Sequence, residues 1–79
     1  MQVSPIQARA ILRIVVDRFH ATGEPVNIAP LFVTSSLSAA IVRAAVQYWY
    51  EQDVLEPAGD DQTYIPTARA YDVLNRGAS

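Results

Sequence analysis

Apolar residues recur at helical spacing over two long stretches of this chain, and short apolar runs separated by a polar turn follow the second of them. In the first stretch Ala8, Leu12, Val15 and Phe19 fall on one face, flanked by Ile11 and Val16, while Arg9, Arg13, Asp17 and His20 fall on the other. Ser4 as N-cap, Pro5 at the first helical position and Gln7 as capping-box partner open the stretch, and Gly23 stops it, so the pattern predicts a helix over 5–22. Ala10 and Ile14 widen the apolar arc beyond what one neighbouring helix covers. Either the arc through Ile11 and Ile14 is a homodimer surface, shared with the last helix, or Ile14 packs on that last helix within one chain.

The second stretch is the framework. Ser38 is the expected N-cap, Ala39 and Ala40 favour helix behind it, and no Gly or Pro intervenes before Pro57, which predicts a long helix over 38–53. With Val42 facing the core, Val46, Trp49 and Asp53 follow on the same side with Ala45 beside them, and Ala40, Arg43, Ala44, Gln47 and Glu51 lie opposite. Between the two stretches, Glu24 to Val26 reads as a loop or tiny strand. A short helix over 28–34 follows, capped by Asn27, with Pro30 in its first turn and Ile28, Leu31 and Phe32 turned inward. Thr34, Ser35 and Ser36 make the turn into the long helix. Their hydroxyls suit either phosphate contacts at a helix N-terminus or plain capping chemistry.

After the long helix, Val54 and Leu55, a turn of Gly59, Asp60, Asp61 and Gln62, and then Thr63, Tyr64 and Ile65 predict a hairpin over 54–65. Pro66 and Thr67 lead into a last helix over 68–76, with Thr67 as N-cap, Tyr71 and Leu74 inward, and Arg76 and Gly77 at its end. The expected fold class is mainly α with a small β-hairpin, as one domain over residues 1–79.

A helix opening with Ser38, carrying Val42 at mid-length and Glu51 and Gln52 near its end, and followed by Val54 and Leu55 opening a hairpin, resembles the winged helix-turn-helix family. The closing run YIPTARAYDVL is similar to that family's last strand and helix, and the likeness covers nearly the whole chain. Two positions depart from the pattern. Asp53 stands where the family usually places a left-handed Gly, and Gly59, Asp60 and Asp61 stand where DNA-binding members commonly offer Arg or Lys. The resemblance implies three to four helices plus a wing, with the helix over 38–53 as the recognition helix.

Charge complicates the role that this likeness implies. Six Arg, no Lys and eight acidic residues give a formal net charge of −2, whereas nucleic-acid binders are usually basic. Binding responds to the charge of one face, so distribution decides more than the total. A chain of 79 residues buries only about 60% of its unfolded surface, so modest stability is expected and dimerisation would add to it. Without Cys and with one His, neither a disulfide framework nor a thiolate or multi-histidine metal site is expected. No apolar run approaches a membrane span and no charged leader precedes one, which leads to the expectation of a cytoplasmic protein without membrane contact.

Catalytic chemistry finds no foothold in the sequence. His20 has no nucleophile and carboxylate in a recognisable motif around it, adjacent Asp60 and Asp61 lack further oxygen ligands, and there is no Gly-rich phosphate loop, so neither an enzyme nor a cofactor is expected. Two functions of different class remain. One is a small transcriptional regulator binding double-stranded DNA, in which Arg43 reaches guanine, Gln47 reaches adenine, and Ala40 and Ala44 allow close approach or touch thymine methyls. The other is a protein-interaction module, such as an adaptor or a phage-type inhibitor of a larger complex. It is suggested by Tyr48, Tyr50 and Arg43 on an acidic chain and by the acidic wing.

Overall fold

The computed structural model describes residues 3–31, 38–60 and 62–78, with 77 and 78 described by backbone alone. Its elements run α1 (Pro5–Thr22), β1 (Val26–Asn27), α2 (Ala39–Glu51), β2 (Leu55–Pro57), β3 (Thr63–Pro66) and α3 (Ala68–Ala78). Among the described residues it is therefore mainly helical, with one small antiparallel sheet of order β1-β3-β2.

Helix α1 begins where its sequence dictates. The Ser4 side chain accepts from the Gln7 N–H at 3.1 Å, the Gln7 side chain accepts from the Ser4 N–H at 3.3 Å, and Pro5 occupies the first turn. It ends at Gly23, whose φ of 71° lets its N–H reach the Phe19 carbonyl at 2.7 Å. Ser38 caps α2 by accepting from the Ile41 N–H at 3.3 Å.

The end of α2 is a complete Schellman turn built without glycine. The Val54 N–H bonds to the Trp49 carbonyl at 2.9 Å and the Asp53 N–H to the Tyr50 carbonyl at 3.2 Å, which places Asp53 in the left-handed region at φ 61°. Asp53 is thus exposed beyond the helix rather than continuing the inward face of Val46 and Trp49, because the reversal of backbone sense swings its side chain out. An L-residue held there pays a conformational cost that glycine avoids. Asp53→Gly should accordingly raise stability by up to about 1 kcal/mol, read from the urea midpoint, and Asp53→Val should lower it by at least as much. An unchanged midpoint in both variants would mean that the turn is not held in this conformation.

The core is formed where α1 crosses α2. Ala8, Ile11, Leu12, Val15 and Val16 meet Val42, Ala45, Val46 and Trp49, and Val26, Ile28, Leu31, Val54, Leu55 and Ala70 close the edges. Of the arc through Ile11 and Ile14, Ile11 is completely buried within the chain and Ile14 is half-buried against the same core. The apolar residues that α1 leaves exposed are Ile6, at 82%, Ala10 and Ala21.

The sheet adds a pairing beyond the expected hairpin. Strand β3 pairs with β2 through Glu56↔Ile65 and with the two-residue β1 through Val26↔Tyr64, and the Ile28 N–H to Gln62 carbonyl bond extends the second ladder. The segment after α1 is thereby anchored to the β2–β3 hairpin. Asn27 makes an Asx turn instead of the expected helix cap, its side chain accepting from the Ala29 N–H at 2.8 Å; residues 28–30 are bend and turn, and the first helical residue there is the buried Leu31. The remainder of the helix expected over 28–34, with Phe32, lies outside the described residues.

Thr67 stands immediately before α3, and its hydroxyl donates to the carbonyls of Asp53 at 2.6 Å and Val54 at 3.1 Å, tying the start of α3 to the exit from α2. The helix also runs on to Ala78 instead of ending at Arg76, because Gly77 weakens a helix by only about 1 kcal/mol and does not by itself reverse the backbone. On its inner side Ala70 is completely buried, with Tyr71, Val73 and Leu74 partly buried beside it.

Candidate nucleic-acid interface and an adjoining cleft

The polar side of α2 is held by the packing behind it. Val42, Ala45, Val46 and Trp49 are buried, which turns Ala40, Arg43, Gln47 and Glu51 to solvent and leaves Ala44 half-buried. Arg43 and Gln47 stand one turn apart with no carboxylate between them, and the exposed acidic residues begin at Glu51, the last residue of the helix, and continue with Asp53 and Glu56. The exposed face is therefore polarised along its length. Its first half carries long donors beside alanines, and its second half turns negative. Tyr50, 45% exposed, follows Arg43 by seven residues and shares its flank.

The N-terminal hydroxyls Thr34, Ser35 and Ser36 lie outside the described residues, as does Asp61. In the loop joining β2 to β3, Gly59 at φ 114° makes a bend that an L-side chain rarely adopts. Asp60 has a structural role that its sequence position conceals. Its Oδ1 accepts from the Gln62 N–H at 2.8 Å, an Asx turn within the loop joining β2 to β3. That backbone bond, followed by one from the Thr63 hydroxyl, holds the Asp60 carboxyl below its ordinary value. A depressed folded-state value means that the carboxylate's support for the turn is present at neutral pH and is lost as the pH falls through the lowered value. Gln62 contributes through its backbone to both the turn and the β1 junction. Asp60 thus has a local structural role as well as being a candidate contact.

On the opposite flank of α2 lies a feature that the sequence pattern did not single out. Tyr48 and Trp49 are shared by two adjoining pockets, one of about 530 Å³ against α3 and one of about 230 Å³ against the start of α1. Tyr48 is 44% exposed and meets Trp49 edge-on, with ring centroids 4.8 Å apart. The Trp49 indole N–H donates to the Ala8 carbonyl at 2.7 Å, joining α2 to α1. Arg69 reaches the Gln52 carbonyl at 3.5 Å, supplying the cation that the last turn of α2 does not itself carry. The signal for this cleft was the pair of adjacent aromatics, of which one is buried and the other is left half outside.

His20 is exposed, with its ring 5.5 Å from Tyr71. Among the described residues no group of three His, Cys, Asp or Glu side chains could hold a metal ion, and no helix is long and apolar enough to cross a membrane.

No protein-family model, curated protein or solved structure matches this chain. Function must then be read from its own side chains rather than carried over from a relative.

Proposed function

We propose that this chain is a small winged-helix DNA-binding protein, a transcriptional regulator in kind, that reads the major groove with the first half of α2. The observation that carries the proposal is the polarised face of that helix. Arg43 and Gln47 project one turn apart beside Ala40 and Ala44, ahead of the first carboxylate. Arg pairs with the two acceptors of guanine and Gln with adenine, while small residues allow the helix to sit deep. Recognition helices contact base edges with their N-terminal residues, the half of α2 that is free of acid. The sheet order β1-β3-β2, with its hairpin directly after α2, supports the winged arrangement.

The acidic wing limits the strength of binding without forbidding it. Asp60→Asn combined with Asp61→Asn removes two negative charges, and Asn keeps a side-chain oxygen able to accept the Gln62 N–H, so the turn survives. The double variant should bind duplexes of any sequence more tightly than wild type. With few arginines in reach of the backbone, the salt dependence should be shallow, about 0.9 log units of affinity per log of salt for each phosphate neutralised. Titrating both proteins against duplex at low and moderate salt tests the reading. No saturable binding by either at low salt would overturn it.

A protein-interaction module is the second reading, favoured by the half-exposed Tyr48 and Tyr50, since aromatic residues concentrate at protein interfaces. Under it the wing substitutions would leave DNA affinity unchanged.

A further inference from the structure

We infer that the Tyr48 cleft is a docking groove for an acidic peptide segment bearing one apolar anchor side chain. The charge distribution is the first argument. Three of the chain's six arginines, Arg9, Arg69 and Arg76, line the two pockets, and among the described residues Asp72 is the one carboxylate that does. A protein of net charge −2 therefore has a locally positive cleft, which attracts acidic segments and is poorly suited to basic ones. The shape of the walls is the second argument. The smaller pocket is lined by Val3, Pro5 and Ala8 with the two aromatics, and at about 230 Å³ it has room for one apolar side chain. Because the Trp49 N–H is already bonded to Ala8, the indole offers only apolar surface there, so the pocket selects by shape and apolarity. A nucleic-acid backbone would satisfy the arginines and leave this pocket unfilled. The cleft lies on the flank of α2 away from Arg43, so docking there is compatible with the groove-reading proposed for the exposed face and does not depend on it.

The probe is a set of capped eight-residue peptides rich in Asp and Glu with a central Leu or Phe, alongside the same peptides with Arg and Lys in place of the acids and an acidic peptide with Ala at the centre. Trp49 is the chain's single tryptophan and lies in the cleft wall, so its emission reports occupancy directly, and amide shifts at Arg9, Tyr48 and Arg69 map it. The anchored acidic peptides should bind saturably and weaken with added salt, and the basic peptides should not bind. The central Ala should lose at least about fivefold in affinity, as should Tyr48→Ala in the protein and, independently, Arg9→Gln with Arg76→Gln. Both protein changes fall on side chains outside the buried core, and circular dichroism checks that each variant is folded. The proposal is overturned if the anchored acidic peptides show no saturable binding at millimolar concentration, or if the basic set binds equally. It is also overturned if the Arg9→Gln and Arg76→Gln pair weakens duplex DNA binding but not peptide binding, which would make these arginines phosphate contacts.

Discussion

Trp49→Ala should remove about 3–5 kcal/mol of folding stability, the largest effect expected of any single substitution in this protein. A chain of 79 residues has only about 4–12 kcal/mol in total at ordinary stability per residue, so the loss is a large fraction of the whole and unfolds the domain outright at the lower end of that range. Two contributions add at this position. The ring is 7% exposed and fills the junction of α1, α2 and the entry to β2, and its Nε1–H donates to the Ala8 carbonyl 41 residues away in sequence. A mid-helix carbonyl has a second lone pair for such a donor, so the bond ties the helices together without breaking either ladder. Trp49→Phe separates the two terms. It keeps most of the apolar body, loses the donor, and should cost about 1–2 kcal/mol. Urea unfolding followed by far-ultraviolet circular dichroism measures both variants. In wild type the emission should be blue-shifted and should move red in the same transition; solvent-like emission from the native protein would overturn the packing assigned to this helix.

Arg43→Ala should cost about 1–3 kcal/mol of base discrimination, equivalent to roughly a 5- to 150-fold loss of preference for the cognate duplex over a scrambled one. Its effect should be selective. Affinity for random duplex should fall far less, because phosphate contacts set the general term and base contacts the specific one. Arg43→Lys should not restore the preference, since an ammonium lacks the planar fork that matches the two acceptors of guanine. The arginine is exposed and lies opposite the buried residues of α2, so folding should be unaffected and the loss attributable to contact. Competition titrations with cognate and scrambled duplexes, the cognate obtained by selection from random sequence, read the ratio directly. If selection enriches nothing, or if the Ala variant retains the wild-type ratio, α2 is not reading bases and the protein-partner reading takes its place.

Much of the helical framework was legible because local chemistry and tertiary demand agree in it. Ser4, Pro5, Gln7, Gly23 and Ser38 act where their types predict, and Val42, Val46 and Trp49 are buried as their spacing requires. Legibility failed where one residue serves two elements. Thr67 has the chemistry of a cap, but its hydroxyl proton goes to a carbonyl pair at the end of α2, a long-range bond that is invisible in a linear reading. The β1 to β3 pairing joins two residues to a strand nearly forty positions away, too short a run to leave a periodic signal. Ile14 shows the same limit on a helix: its position in the apolar arc does not say whether a second chain or the chain's own core covers it. On the candidate interface, Ala40, Arg43 and Gln47 were legible from the helical repeat, whereas the Tyr48 cleft depends on how α1 and α3 converge around one aromatic pair.

Both outer margins of the small sheet are closed to recruitment of another strand. On one side β1 is only two residues long, and on the other the three-residue β2 ends in Pro57, which has no backbone N–H to offer. Among the described residues the sheet therefore offers no long open edge for strand addition, the backbone-mediated capture of an extended peptide. The same closure guards against edge-to-edge aggregation at high cellular concentration. A partner that approaches this sheet meets side chains and not an open backbone ladder, so single substitutions there should redirect or abolish the contact in a way that backbone-templated contacts resist.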